Sequence, residues 1–318
     1  MEMKAVKSVS KEQAKATAMR VVEKTLSCRV LNLRYLGGGS FGFVWCAEID
    51  KAPHTVVVKA CRTEGMCLRE AQDLKILRAH CPIPVPQVYF TALADADTPL
   101  DFIGMEHMHG SDCFTTFSFL LLSDTKKMAF AEELTAAMHA LHSVTNDRFG
   151  LVGDPQYADW FSFYKPFAAD ILDTARKLCA EKKLESRVVT AMERAWDAFD
   201  FIFSEPVPAA SLIHGDLNVM NVLADKNLKP TAIIDPLESR WADKEYDLFQ
   251  LRNLTGDRFS LYETYKKNYP VSEKVDLKTA FYGLYHEVYA YISSGTKVNL
   301  ILMPLIRRMH QELKKAGY

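Results

Sequence analysis

The spacing of apolar residues along the chain changes near residue 105, and this change limits the possible folds more than any other feature. Before it, β-branched and aromatic runs separated by turns predict five short strands, near 30–36, 43–48, 55–61, 88–92 and 102–105. After it, apolar residues recur mainly at helical spacing. The sequence therefore predicts an α+β fold with a small antiparallel β lobe at residues 1–105 and a larger helical lobe at residues 106–318.

Helices are predicted in both lobes. Ser10 and Gln13 form a capping-box pattern that begins a helix ending near Leu26, and apolar residues at helical spacing predict a second helix at 65–80. In the larger lobe, helical patterns lie near 126–143, 160–181, 187–203, 262–269, 277–292 and 300–315. The 318 residues exceed what one hydrophobic core usually supports, which agrees with two lobes.

Charge and hydropathy exclude several classes of partner. The chain has 39 basic and 40 acidic residues, so nothing indicates binding to nucleic acid or to an anionic membrane. No apolar stretch approaches the roughly 18 residues of a membrane span, and the N-terminus has no secretory pattern. We therefore expect a cytoplasmic protein. Its seven cysteines are never spaced C-x-x-C, which indicates reduced thiols rather than disulfides or a zinc site.

A glycine-rich segment lies between the first two predicted strands. Residues 36–44 fit the pattern G-x-G-x-x-G-x-V through Gly37, Gly39 and Gly42. Because a strand is predicted on both sides, the segment is expected to be a hairpin that covers nucleotide phosphates, with Ser40 at its tip. The same residues spell G-x-S-x-G, a hydrolase nucleophile elbow around Ser40, but that motif requires a helix after the turn.

A lysine and a glutamate follow this hairpin in order. Lys59 ends the third predicted strand, and Glu70 lies on the helix after it. A lysine at that position contacts nucleotide phosphates in kinases, and a helical glutamate pairs with it. Singly, such residues are more often a solvated surface pair, but their order after the glycine hairpin favours the functional interpretation.

The strongest motif is His214-Gly215-Asp216-Leu217-Asn218-Val219-Met220-Asn221, which matches H-x-D-L-x-x-x-N. Asp216 is placed to accept the proton of an attacking hydroxyl, and the amide oxygen of Asn221 can bind Mg²⁺. Asp235 ends a later apolar strand, where a second Mg²⁺ ligand is expected. Each residue alone could be a turn former or a cap, but their order indicates ATP-dependent phosphoryl transfer.

Two positions differ from protein kinases and indicate a different acceptor. Gly215 replaces the arginine that would hold a phosphorylated activation loop, and Pro236 follows Asp235 where Phe-Gly is usual. No Ala-Pro-Glu sequence follows. We therefore expect the partner to be a small molecule with a free hydroxyl.

The H-G-D-x-x-x-x-N loop from His214 to Asn221 resembles that of the aminoglycoside phosphotransferase and choline kinase superfamily. The resemblance extends over nearly the whole chain and implies a two-lobed protein-kinase-like fold that uses ATP and Mg²⁺. It also implies a hinge at 105–108, where the backbone carbonyl of Glu106 and the backbone N–H of Met108 would hold adenine.

Within that superfamily, Ile234-Asp235-Pro236 followed by Glu245-Tyr246-Asp247-Leu248 resembles the fructosamine kinases. This resemblance implies phosphorylation of the 3-hydroxyl of ketosamines, a repair activity. Asn218 stands where that family typically carries tryptophan, so a streptomycin-type aminoglycoside phosphotransferase remains an alternative. A catalytically silent nucleotide-binding pseudokinase is a second alternative.

Several residues near the motifs are candidates for contact with the acceptor: Asn218, Glu238, Arg240, Tyr285 and Glu287. Tyr285 and Glu287 lie on a late helix that would line the acceptor side of the cleft, while Asp247 is expected to support the catalytic loop. His139 and His142 share one face of a predicted helix, but no third ligand accompanies them, so packing is favoured over metal binding.

Overall fold

The computed structural model describes residues 9–39, 41–236 and 238–318, and it confirms the predicted two-lobed α+β fold. The N-terminal lobe contains α1 (Lys11–Leu26), β1 (Val30–Gly39), β2 (Gly42–Ile49), β3 (Thr55–Cys61), α2 (Met66–His80), β4 (Val88–Ala92) and β5 (Asp101–Glu106). Its strands form an antiparallel sheet in the order β1-β2-β3-β5-β4. The exact division of the lobes at residue 105 stays a prediction.

One face of this sheet and α1 share a hydrophobic core. Trp45 on β2 and Val58 on β3 are fully buried, and so are Ala18 and Val22 on α1. The predicted capping box begins α1, because the Ser10 hydroxyl accepts a hydrogen bond from the Gln13 N–H at 3.2 Å. Removing this apolar surface from water orients α1 across the sheet.

The C-terminal lobe is mainly helical, as predicted. Its helices are α3 (Asp124–His142), α4 (Trp160–Ala180), α5 (Ser186–Asp197), α6 (Phe199–Ile202), α7 (Leu261–Asn268), α8 (Val275–Ser294) and α9 (Asn299–Lys315), with 3₁₀ turns at Phe117–Leu121, Lys244–Arg252 and Gly256–Phe259. The single helix predicted at 187–203 is wrong, because the chain leaves the helical conformation at Ala198. Among the described residues, no helix combines the length and apolarity that crossing a membrane requires.

An aromatic cluster forms the centre of this lobe. Trp160 and Tyr164 on α4 stack at 5.3 Å between ring centroids, and Tyr282 on α8 meets Tyr164 edge-on at 4.9 Å. The Trp160 indole donates to the Tyr282 hydroxyl at 2.9 Å, which in turn donates to Asp243 at 2.7 Å. The cluster therefore joins α4, α8 and the segment Lys244–Arg252 that begins after Asp243.

This lobe also contains short strands, of which only the apolar strand before Asp235 was predicted. They are β6 (Ser111–Asp112), β7 (Thr145–Asn146), β8 (Phe149–Leu151), β9 (Asp154–Tyr157), β10 (Ala210–Ile213), β11 (Val222–Ala224), β12 (Pro230–Ile233) and β13 (Arg240–Ala242). They form two sheets, β7-β10-β13-β8-β9 and β12-β11-β6. The motif of residues 214–221 connects β10 to β11, and Asp235 follows β12, so these sheets bring both segments to the cleft.

Candidate active site

The glycine segment is a hairpin, as predicted. Gly37 pairs with Val44 and Gly39 with Gly42 across β1 and β2. Gly42 is required by a close approach, since a Cβ there would lie 2.1 Å from the Ala60 carbonyl oxygen. A Cβ at Gly37 or Gly39 would meet nothing within 4 Å, so this part of the backbone is open. A strand follows the turn, so the nucleophile-elbow alternative is wrong; Ser40 itself lies outside the described residues.

Lys59 joins the two lobes through two carboxylates. Its Nζ lies 2.9 Å from Glu70 Oε2 on α2 and 2.6 Å from Asp235 Oδ1 after β12. Burial alone would lower the pKa of Lys59, but Asp235 and Glu70 raise it above its ordinary value. Burial would raise the pKa of Asp235, and the Lys59 ammonium instead holds it below that of a free aspartate. Lys59 and Asp235 therefore form a charged pair, whereas burial raises the pKa of Glu70 more than the Lys59 ammonium lowers it.

Asp216 is surrounded by amide donors that orient its carboxylate. Oδ1 accepts hydrogen bonds from Asn218 Nδ2 and Gln250 Nε2, both at 2.8 Å, and Oδ2 accepts one from Asn221 Nδ2 at 3.0 Å. Burial, and next the charge of Asp235, raise the pKa of Asp216 to about 7. The carboxylate is thus held in one orientation, and its proton affinity is close to that of a general base working near neutral pH.

Gln250 is a residue of this site that sequence reasoning missed. It lies on the 3₁₀ segment Lys244–Arg252, is 2% exposed, and its Oε1 accepts a hydrogen bond from Asn253 at 2.8 Å. No motif marks it, and only its position three residues after Asp247 relates it to the catalytic loop.

Asp247 supports the catalytic loop, as predicted. Its carboxylate accepts the backbone N–H of His214 and of Gly215, both at 2.8 Å, and lies 3.5 Å from His142 Nε2. Burial would raise the pKa of Asp247, but these groups lower it below its ordinary value. Gly215 has φ of 88°, a left-handed conformation that favours glycine. His142 also hydrogen-bonds the Tyr265 hydroxyl at 2.8 Å, so it is a packed histidine.

The oxygens of two side chains suit a hard cation. Asn221 uses its amide nitrogen to donate to the Asp216 carbonyl at 2.7 Å, and its Oδ1 accepts no hydrogen bond from the described residues. Asp235 presents a carboxylate that is 54% exposed. The described residues contain no group of three or more His, Cys, Asp or Glu arranged for a metal. Mg²⁺ commonly uses one or two carboxylates together with substrate phosphates, so this pair fits that ion.

The predicted hinge begins at the end of β5. The Glu106 N–H donates to the Gln87 carbonyl at 2.8 Å, and the Glu106 carboxylate pairs with Arg78 at 3.1 Å. Met108 lies two residues beyond this pair, in irregular backbone that is partly buried. The Glu106 side chain is therefore occupied by the N-terminal lobe, and adenine binding by the backbone at Glu106 and Met108 stays a prediction.

Two contacts hold α2 to the segment that follows Asp235. Arg69 Nη1 lies 2.6 Å from Glu238 Oε1, and the Ser239 N–H donates to Asp73 Oδ2 at 3.1 Å. Glu238 also pairs with Arg240, which is 7% exposed. Glu238 therefore joins the lobes through Arg69, and contact of Glu238 and Arg240 with the acceptor stays a prediction.

Of the remaining acceptor candidates, Tyr285 is wrong. It is fully buried, and its hydroxyl donates to the Met192 carbonyl on α5 at 3.0 Å. Glu287, two residues later on α8, is 9% exposed, and burial and then the charge of Asp216 raise its pKa, so its contact with the acceptor stays a prediction. Asn218 is partly buried and donates to Asp216, so it touches the residue proposed to act on the acceptor.

The Asp73 carboxyl makes protein stability depend on pH. Burial raises its pKa to about 7, whereas an aspartate in an unfolded chain has a pKa of about 3.9. Because the folded protein keeps this proton to higher pH, the wild type loses stability as the pH rises from about 4 to about 7. Asp73→Asn removes this loss. The unfolding free energy of the variant minus that of the wild type should therefore be larger at pH 8 than at pH 4, by on the order of 3 kcal/mol.

Urea unfolding at these two pH values measures this difference. Asp200→Asn is the control, since Asp200 is 87% exposed in a surface pair with Lys165 and should change stability equally at both pH values. A gain for Asp73→Asn that does not vary with pH would contradict the assignment.

The fold and the site together define a phosphotransferase of the two-lobed kinase class that acts on a sugar hydroxyl. The chain belongs to the fructosamine kinase family, whose model matches residues 13–309.

Individual relatives agree with the family. A protein named as a probable ketoamine kinase of Pasteurella multocida is 25% identical over 262 residues, which are 78% of this chain and 82% of that protein. The crystal structure of a candidate fructosamine-3-kinase of Haemophilus somnus superposes with a TM-score of 0.67 at 18% identity and covers 95% of this chain and 99% of that one. The GDP complex of an aminoglycoside 2'-phosphotransferase gives a TM-score of 0.64 at 16% identity, covering 97% and 100%. These two structures are similar in fold.

Proposed function

We propose that this protein is an ATP- and Mg²⁺-dependent kinase that transfers the γ-phosphate to a hydroxyl of a ketosamine. The observation that carries the proposal is the convergence of Asp216, Asn221 and Asp235 beside Lys59, whose Nζ is 2.6 Å from Asp235 Oδ1. This arrangement contains a base, two hard oxygen ligands and a cation, which are the parts that phosphoryl transfer needs.

Asp216 acts as the base in this proposal. Its Oδ2 accepts only the Asn221 amide among the described residues, so a lone pair remains for the proton of the acceptor hydroxyl. Asn218 and Gln250 hold Oδ1 and keep the carboxylate from rotating. The protein thereby contributes mainly positioning, which is the principal requirement of phosphoryl transfer.

Lys59 and the glycine hairpin hold the nucleotide phosphates in this proposal. Gly42 on β2 pairs with β3, Gly37 and Gly39 lie on β1 across from β2, and no side chain of the described residues comes within 4 Å of a Cβ built at Gly37 or Gly39. Asn221 and Asp235 would hold Mg²⁺, which would supply positive charge that neutralises the phosphate oxygens. Lys59 Nζ lies between Glu70 and Asp235, at 2.9 and 2.6 Å, so its position is fixed by both lobes.

The acceptor class is supported by the family and by the name of the Pasteurella relative. The test is a panel of fructosyl-amines, ribosyl-amines and aminoglycosides, scored by release of ADP with and without Mg²⁺. We expect turnover of the fructosyl-amines that requires Mg²⁺. Phosphorylation of aminoglycosides alone would favour the antibiotic-kinase alternative, and nucleotide binding with no turnover of any acceptor would favour a silent pseudokinase.

Asp235→Asn tests the metal site. The substitution keeps one oxygen ligand but removes its charge, so half-maximal activity should need at least about tenfold more Mg²⁺, and kcat should fall about 10²-fold. Titration of ADP release with MgCl₂ measures both. Asp200→Asn is again the matched control and should titrate like the wild type. An unchanged Mg²⁺ dependence in Asp235→Asn would remove this residue from the metal site.

A further inference from the structure

Glu287 on α8 differs from the other buried carboxylates in having no partner. It is 9% exposed, and it accepts no hydrogen bond and forms no ion pair with the residues that the structure describes. Each of the others accepts a hydrogen bond or forms an ion pair: Glu70, Asp73, Asp101, Asp243, Glu245 and Asp247.

An unpaired buried carboxylate is costly, because the ionised form loses its hydration and gains nothing in exchange. Burial, and next the charge of Asp216, raise the pKa of Glu287 to about 8, and no lysine or arginine opposes them. The carboxylate oxygens are not among the buried polar atoms sealed from solvent, so a ligand in the cleft can reach them. A group that serves only packing would not need a carboxyl group.

The residue before Glu287 packs on the segment that reaches Asp216. His286 hydrogen-bonds the Tyr246 hydroxyl at 2.9 Å and packs on Phe249 at 5.0 Å between ring centroids. These contacts seat α8 on the segment Lys244–Arg252, from which Gln250 reaches Asp216. Glu287 therefore lies on the helix that packs against this segment, and the charge of Asp216 acts on it.

We propose that Glu287 binds a protonated amine of the acceptor, adjacent to the hydroxyl whose proton Asp216 accepts. The inference rests on the proposed function and adds a rule of selection to it: the preferred acceptor carries a cationic nitrogen a few atoms from its reacting hydroxyl. A ketosamine meets this rule, since its amine is on carbon 1 and the hydroxyl on carbon 3. A cation between two carboxylates would remove the repulsion that they exert on each other.

The alternative is that Glu287 merely accepts or donates a hydrogen bond to a neutral oxygen of the sugar. Glutamine has nearly the same shape and can still donate and accept such a bond, so Glu287→Gln removes only the charge. A comparison of two acceptors then distinguishes binding of a cationic amine from a hydrogen bond to a neutral oxygen. One is a fructosyl-alkylamine, and the other is the matching 1-O-alkyl fructose, in which a neutral ether oxygen replaces the amine nitrogen.

Steady-state kinetics with both acceptors test the proposal. For Glu287→Gln we expect kcat/KM of the fructosyl-alkylamine to fall about tenfold to hundredfold, mainly through KM, as expected for losing a charge-assisted hydrogen bond. The ether should change less than about threefold, and Glu287→Asp should recover part of the preference for the amine. Glu263→Gln, an exposed change on α7, is the control, and melting temperatures establish that each variant is folded.

The outcomes separate the inference from the function on which it rests. Equal losses for the amine and the ether would overturn the amine site and leave the kinase assignment intact. Failure of the wild type to phosphorylate either acceptor would overturn the ketosamine function and the amine site together.

Discussion

Asp216→Asn should lower kcat by about 10³-fold, because positioned general bases contribute about 10²-fold to 10⁴-fold to rates. The variant keeps the size of the side chain, and its remaining oxygen can still accept from Asn218 or Gln250. The amide has no proton affinity near neutral pH, so it cannot take the proton of the acceptor hydroxyl. Nucleotide binding should persist, because Lys59, Asp235 and the glycine hairpin are unchanged.

Turnover by ADP release and nucleotide affinity by equilibrium titration distinguish this loss from general damage. The expected result is a loss in kcat with an affinity for ATP within about threefold of wild type. Asp200→Asn serves as the control, since that carboxylate lies on the surface of α6. Turnover in Asp216→Asn close to that of the wild type would exclude this residue as the base.

The parts of the site that local sequence signals could predict are those encoded in short segments. The glycine hairpin depends on strands on both sides of one turn, and Asp216 and Asn221 lie within one loop. Lys59 and Glu70 follow from a strand and the next helix, and the structure places them 2.9 Å apart. In each case the spacing along the chain determines the spacing in the folded protein.

Contacts between distant segments were not predictable in this way. Ser239 binds Asp73 across 166 positions, and Gln250 binds Asp216 across 34. Neither contact leaves a pattern in the sequence. The same limit applies to Glu238, because the sequence shows a charge after the metal strand but does not show Arg69 opposite it.

Most short strands of the helical lobe were missed for a related reason. β7 and β6 contain two residues each, which is too few to show an alternating pattern. Tyr285 shows the corresponding limit for helices, because most of α8 is buried and one helix carries both core and cleft residues. Periodicity alone could not separate Tyr285, which hydrogen-bonds α5, from Glu287, which has no hydrogen-bond partner among the described residues.

The site contains four carboxyl groups, and they are stabilised in three different ways. Asp235 and Glu70 share the ammonium of Lys59, while Asp247 accepts backbone N–H groups. Asp216 has only neutral amide donors, and the nearby charge of Asp235 raises its pKa. Of these four carboxylates, the one that needs proton affinity is thus held by neutral side-chain amides alone, which agrees with its proposed role as the base.

Asp247→Asn should destabilise the protein by about 3–5 kcal/mol and lower kcat about 10²-fold, although Asp247 touches neither proposed ligand. The N–H groups of His214 and Gly215 each donate to one carboxylate oxygen at 2.8 Å. An asparagine amide would place a donor against one of these donors, and it would leave His142 without its negative partner at 3.5 Å. The loop that carries Asp216 would therefore move, and small displacements of catalytic groups reduce rates strongly.

Urea unfolding and ADP release measure these two effects separately. Asp257→Asn is a matched control from the same region, because Asp257 is 54% exposed and pairs with Arg252 and Arg308, both at 3.3 Å. It should cost at most about 1 kcal/mol, as surface ion pairs usually do. If Asp247→Asn were as stable as this control, or kept wild-type turnover, Asp247 would not be the support of the catalytic loop. A loss of stability and turnover confined to Asp247→Asn would show that the reactive carboxylate depends on a second, buried carboxylate that holds its backbone.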